Sequence, residues 1–218
     1  MSLFAAGLNV DSGNAVQILL LIGGLTLVPA VLFTVTGFSR ILIVLGFIRT
    51  AVGTSNAPPN QVLVGIALFL TIFVMSPTIN AIKKDAIEPL SGHHISTTTA
   101  IKRAEEPLRE FMFRQTRTQD ISLFVGLAHD KTPKKRAEVP TEVLIPAFII
   151  SELKTAFQIG FLIFLPFLII DLIVSSTLMS MGMIMLPPTF ISLPFKVLLF
   201  VLVDGWDLVI RALVQSFH

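Results

Sequence analysis

The sequence predicts an all-α integral membrane protein, with about four long apolar, proline-kinked helical segments arranged as hairpins and a polar, partly helical region between them. Three observations carry the prediction. Hydrophobic residues make up 53% of the 218 and charged residues only 14%, against about 25% charged in an ordinary soluble domain. The charges are segregated, with 20 of the 30 lying between Lys83 and Glu142. The remainder is divided into charge-free runs, some longer than the roughly 20 apolar residues that a membrane-crossing helix needs.

Taken in order, residues 1–15 read as an N-terminal extension, and Met1–Val10 lacks the basic n-region of a signal peptide. Residues 16–82 form the first apolar hairpin. Ser12–Ser39 carries no charge, Arg40 interrupts it, Ile41–Ile48 resumes it, and Thr50–Ile82 supplies the second arm. Arg40 and Arg49 are placed in the short linker between the arms, with no acid beside them. Basic short loops favour the cytoplasmic side, which puts the polar middle on the outside. Residues 83–142 are that polar middle. Ala100–Arg117 brings Leu108, Phe111 and Met112 round at three- and four-residue spacing, a helical period, and Asp130–Val139 reads as a polar loop. Residues 143–218 form the second apolar hairpin, from the charge-free runs Thr155–Ile170, Leu172–Phe195 and Val197–Val203.

Nine of the 13 prolines fall in the apolar parts. Each removes a backbone donor, and freed carbonyls must face protein or water rather than lipid. Gly23, Gly24, Gly37 and Gly46 add weak points. So many breaks in so small a chain point to assembly with partners. The charges in the C-terminal part are Glu152, Lys154, Asp171, Lys196, Asp204, Asp207 and Arg211. An ionised group at mid-bilayer costs about 2.5–3.5 kcal/mol on insertion scales, so such residues pair or line a pathway. Glu152 and Lys154, two apart, face different sides of one helix. Lys196 is the expected partner of Glu152, and Asp171 is a further intramembrane charge. Asp204, Asp207 and Arg211 read equally well as markers of helix ends.

Met179, Met181, Met183 and Met185 alternate through LMSMGMIMLPP. Methionine fills irregular space in many cores. Here Gly182 and the Pro187–Pro188 pair suit a loop between two helices, and a ring of long apolar side chains can close a pore by dewetting.

Enzyme signatures are missing. No P-loop, Gly-x-Ser-x-Gly or His-Glu-x-x-His occurs. With no cysteine, disulfides and thiolate metal sites are excluded. His93–His94 reads as a solvated loop rather than a metal site. A net charge of +2 with no basic face gives no footprint for nucleic acid. No cofactor is expected.

Four blocks then carry a resemblance: GTSNAPPNQVLVGIALFLTIFVMSP (Gly53–Pro77), PLREFMFRQTR (Pro107–Arg117), SELKTAFQIGFLIFLPFLIIDL (Ser151–Leu172) and MGMIMLPPTFISLPFKVLLFVLVDGW (Met181–Trp206). In this order they resemble the FliP family of the flagellar type III export gate. The resemblance implies a pore-forming subunit that assembles from several copies of itself with FliQ- and FliR-type subunits, beside other export-apparatus membrane proteins and lipid. Such a gate lies at the inner membrane in the flagellar basal body, with the polar middle facing the periplasm. Unfolded flagellar proteins pass through it. The resemblance also places a pore gasket on Met183, Ile184 and Met185, where the family commonly has three methionines, and a buried charge network on Glu152, Lys154 and Lys196. An injectisome gate subunit and a small-solute transporter are the alternative functions, and a non-conducting scaffold is a third.

Overall fold

The computed structural model describes residues 23, 26, 29–54, 56–128, 133, 136–183 and 185–217. The N-terminal extension, half of the Asp130–Val139 loop and Ile184 therefore lie outside the described residues. Every element among the described residues is helical. They are α1 (Pro29–Val35), α2 (Phe38–Val52), α3 (Asn60–Ile82), α4 (Glu88–Ser91), α5 (Thr97–Gln115), α6 (Thr118–Leu127), α7 (Thr141–Ser180), α8 (Pro188–Leu202) and α9 (Gly205–Gln215). A π turn, Lys83–Ile87, joins α3 to α4, and a 3-10 turn, Arg136–Glu138, precedes α7.

The apolar runs become long helices, although not four equal ones. Asn60–Ser91 and Thr141–Ser180 are each long and apolar enough to cross a membrane, and α1 with α2 makes a third if the bent pair is one span. Helix α8 has 15 residues. At about 1.5 Å per residue it falls short of a hydrocarbon core of about 30 Å. Several prolines are absorbed, since Pro77, Pro107, Pro146, Pro166 and Pro194 sit inside helices, while Pro58–Pro59 and Pro187–Pro188 fall at the breaks between α2 and α3 and between α7 and α8. The sharp turn falls elsewhere, an 84° bend between α1 and α2 at Thr36–Gly37. There Thr36 Oγ1 donates to the Leu32 carbonyl and Ser39 Oγ to the Phe33 carbonyl, 2.8 Å for the second, which occupies carbonyls at the end of α1 that would otherwise be orphaned.

The core forms around α2. Phe38, Ile41, Val44, Leu45 and Ile48 recur at three- and four-residue spacing and are all buried, the stripe of an amphipathic helix. They meet the N-terminal half of α7 through Leu144, Phe148 and Ala156, while α5 and α6 pack on the same half of α7. Beyond Gly160 the character of α7 changes. Phe161, Leu162, Ile169, Leu172 and Ile173 are exposed, as are Phe69, Ile72 and Phe73 on α3 and Phe190, Phe195, Leu198, Val201 and Leu202 on α8. Apolar surface on this scale requires lipid or another chain to cover it.

Candidate functional site

The charges expected to form one network form three separate pairs, and the preferred Glu152–Lys196 pair does not exist. Glu152 binds Arg40 instead, through Arg40 Nε at 3.0 Å and through Nη2. Both side chains are 1% exposed. Arg40 also donates from Nη1 to the Ser216 carbonyl at 2.8 Å and to Ser216 Oγ at 3.1 Å, and from Nη2 to Gln115 Oε1 at 3.0 Å. Its guanidinium lies 3.9 Å from the centre of the Phe217 ring, a cation–π contact. Gln115 Nε2 donates to the Phe217 carbonyl at 2.9 Å. One side chain from α2 thus gathers α5, α7 and the segment after α9. Arg40 is no linker residue. It lies in the first turn of α2 and is among the most buried side chains in the protein, so only Arg49, at the end of α2, remains to mark the connection to α3 as basic.

Lys154 is 47% exposed and binds Asp120 of α6, which is buried. Its place in a buried network is therefore corrected: two residues beyond Glu152 it emerges on the other side of α7. Asp120 also accepts from Ser151 Oγ at 2.6 Å. Burial alone would raise the Asp120 carboxyl, but the hydrogen bonds from Lys154 and Ser151 and the charges of Lys154 and Arg117 outweigh it and hold the group below the usual carboxylate range. Lys196 of α8 is buried and donates to Asp171 Oδ2 of α7 at 2.6 Å. Ser192 Oγ donates to Asp171 Oδ1, also at 2.6 Å. Asp207 and Arg211 pair with each other on the exposed face of α9.

From Met181 the methionine segment is a loop, as its glycine and prolines imply, while Met179 lies in the last turn of α7. Gly182 takes φ +76°, its N–H donates to the Met179 carbonyl and that of Met183 to the Leu178 carbonyl, both at 3.0 Å. This is a Schellman closure, which needs a left-handed residue where glycine costs least. Pro188 then opens α8 at a position where its missing N–H is harmless. Met183 and Met185 are exposed on this turn.

Sequence reasoning missed Asp120, Gln115, Ser192, Ser216 and Phe217, whose roles depend on contacts far along the chain. Arg40 did leave a signal. A single charge between two apolar runs carries the insertion cost already applied to Glu152 and Lys196.

Long apolar helices, internal charges neutralised in pairs and broad uncovered apolar faces define a helical membrane protein. The FliP family model matches residues 21–213. The flagellar biosynthetic protein FliP of Bacillus subtilis (strain 168) is 52% identical over 217 residues, 100% of this chain and 98% of that protein. That of Pectobacterium carotovorum is 56% identical over 204 residues, 94% and 79% of the two chains, and that of Aquifex aeolicus 46% over 218, 97% and 90%. The chain belongs to the FliP family.

Proposed function

We propose that this chain is a pore-forming subunit of the flagellar type III export gate, passing unfolded flagellar proteins across the inner membrane. The observation that carries the reading is the α7–α8 turn. It presents Met183 and Met185 at the tip of a hairpin whose flanks are apolar and uncovered, so that copies meeting around an axis bring a flexible apolar collar together. Ile184, which completes the collar by resemblance, is stiffer at its β-branch. The exposed faces of α3, α7 and α8 are surfaces for further copies, for FliQ- and FliR-type subunits, for other export-apparatus membrane proteins and for lipid. The polar middle faces the periplasm in this reading, supported by Arg49 and by the resemblance. The paired charges are structural, holding each subunit's helices together, and no step requires catalysis.

Two measurements test this. Native mass of the detergent-solubilised protein, expressed alone and with FliQ- and FliR-type partners, should give a discrete multi-copy complex that gains mass with them. Met183→Ala with Met185→Ala should make cells or proteoliposomes leak ions. A scaffold would leave permeability unchanged, and a small-solute transporter would lose uptake without leaking.

A further inference from the structure

Among the described residues, methionine occupies two chemical environments. Met179, Met181, Met183 and Met185 expose 63, 67, 39 and 97% of their surface, whereas Met75 and Met112 in the core expose 3 and 2%. The local fold creates the contrast. The Schellman closure at Gly182 ends α7, so that the segment leaves the helix axis. Pro187 and Pro188 follow at once and prevent the turn from continuing as helix. With Met179 exposed on the last turn of α7, four thioethers are displayed within seven residues.

We infer that this cluster is a site of reversible oxidation by peroxide, modified ahead of the buried methionines. The thioether sulfur attacks one oxygen of hydrogen peroxide. The O–O bond breaks as the S–O bond forms, and the departing oxygen takes up a proton and leaves as water. Sulfur is oxidised by two electrons, peroxide is reduced by the same two, and the product is methionine sulfoxide. Methionine sulfoxide reductases reverse the change at the expense of a dithiol. Each event replaces a flexible apolar group by a polar one. The consequence for transport rests on the gate reading: a collar that seals by excluding water is wetted by sulfoxides and passes ions.

The experiment treats the full-length protein, in the complex in which it purifies, with graded hydrogen peroxide, and maps sulfoxide at each methionine by peptide mass spectrometry. Met185 should oxidise at least about tenfold faster than Met75, which the core leaves 3% exposed, and reductases with dithiothreitol should restore it. Equal rates for turn and core methionines, or an inert turn, overturn the inference. The treated complex is then placed in dye-loaded liposomes beside the untreated complex and the treated complex returned to the thioether by methionine sulfoxide reductases. Peroxide should open a leak that the reductases close. If Met183→Ala with Met185→Ala leaks but the oxidised protein does not, the wetting consequence is wrong and the gate reading stands. If the turn oxidises and neither protein leaks, the gate reading falls and the modification site stands.

Discussion

Removing Arg40 should harm the protein more than removing the charge of its partner, and the structure gives the size of the difference. Both hydrogen bonds that Glu152 accepts come from Arg40. Arg40→Met therefore strands a carboxylate that is 1% exposed, a break worth about 3–5 kcal/mol. Glu152→Gln is milder. Arg40 keeps the Ser216 carbonyl, Ser216 Oγ, Gln115 Oε1 and the Phe217 face, and the new amide still offers an acceptor, so the loss is about 1.5–3 kcal/mol, that of one charge-assisted hydrogen bond. In a chain of this size about 1 kcal/mol moves the melting point by about 2–4 °C, so Arg40→Met should lower it by about 6–20 °C. Arg40→Met with Glu152→Leu leaves neither group unpaired and should melt well above Arg40→Met alone, since a buried pair exchanged for apolar groups of similar volume is often near neutral. Circular dichroism melts in one detergent, run on all four proteins, make the comparison. Glu152→Gln as damaging as Arg40→Met, or a double variant that melts no higher than Arg40→Met alone, refutes the reasoning.

Gly160→Ala should cost about 1–3 kcal/mol, because the new methyl would stand 2.5 Å from the Phe47 ring where α2 crosses α7; Phe47→Leu introduced with it should recover part of the loss in the same melts. Lys196→Ala leaves the Asp171 carboxylate with the Ser192 hydroxyl alone, so the yield of assembled complex should fall, as it should for Glu152→Ala, and normal yield from both variants by native gel would end the case for these pairs in assembly. Asp120 has a folded pKa below its ordinary 3.8, so its contribution is complete above that value and is lost as pH falls through the lower one. The melting-point gap between the unsubstituted protein and Asp120→Asn should hold from neutral pH down to about 4 and narrow below it.

What the sequence discloses here follows the range of the physics involved. The helices were legible because charge-free length is a local property, and the α7–α8 turn because Gly182 and Pro187–Pro188 act on their own backbone. The 84° bend had a faint signal in Gly37, but Gly46, flagged with it, lies inside an unbroken α2. Insertion cost correctly marked Glu152 and Lys196 as needing partners. It carries no address, however, and the true partners stand 112 residues before the first and 25 before the second. Arg40 was misplaced for the same reason. An arginine between two apolar runs reads as the end of each until the acceptors that surround it are known.

The shell around Arg40 also orders events during synthesis. The guanidinium emerges early from the ribosome, and its acceptors follow at Gln115, Glu152 and Ser216. Its aromatic lid, Phe217, comes after them all and rests against Gly37 at the bend, where a Cβ would stand 2.4 Å from the ring. A nascent chain shorter than this holds an arginine whose neutralising shell is incomplete, so the first helices must enter the bilayer before the contacts that lock their angle exist. Closure of the core around Arg40 therefore waits on Phe217.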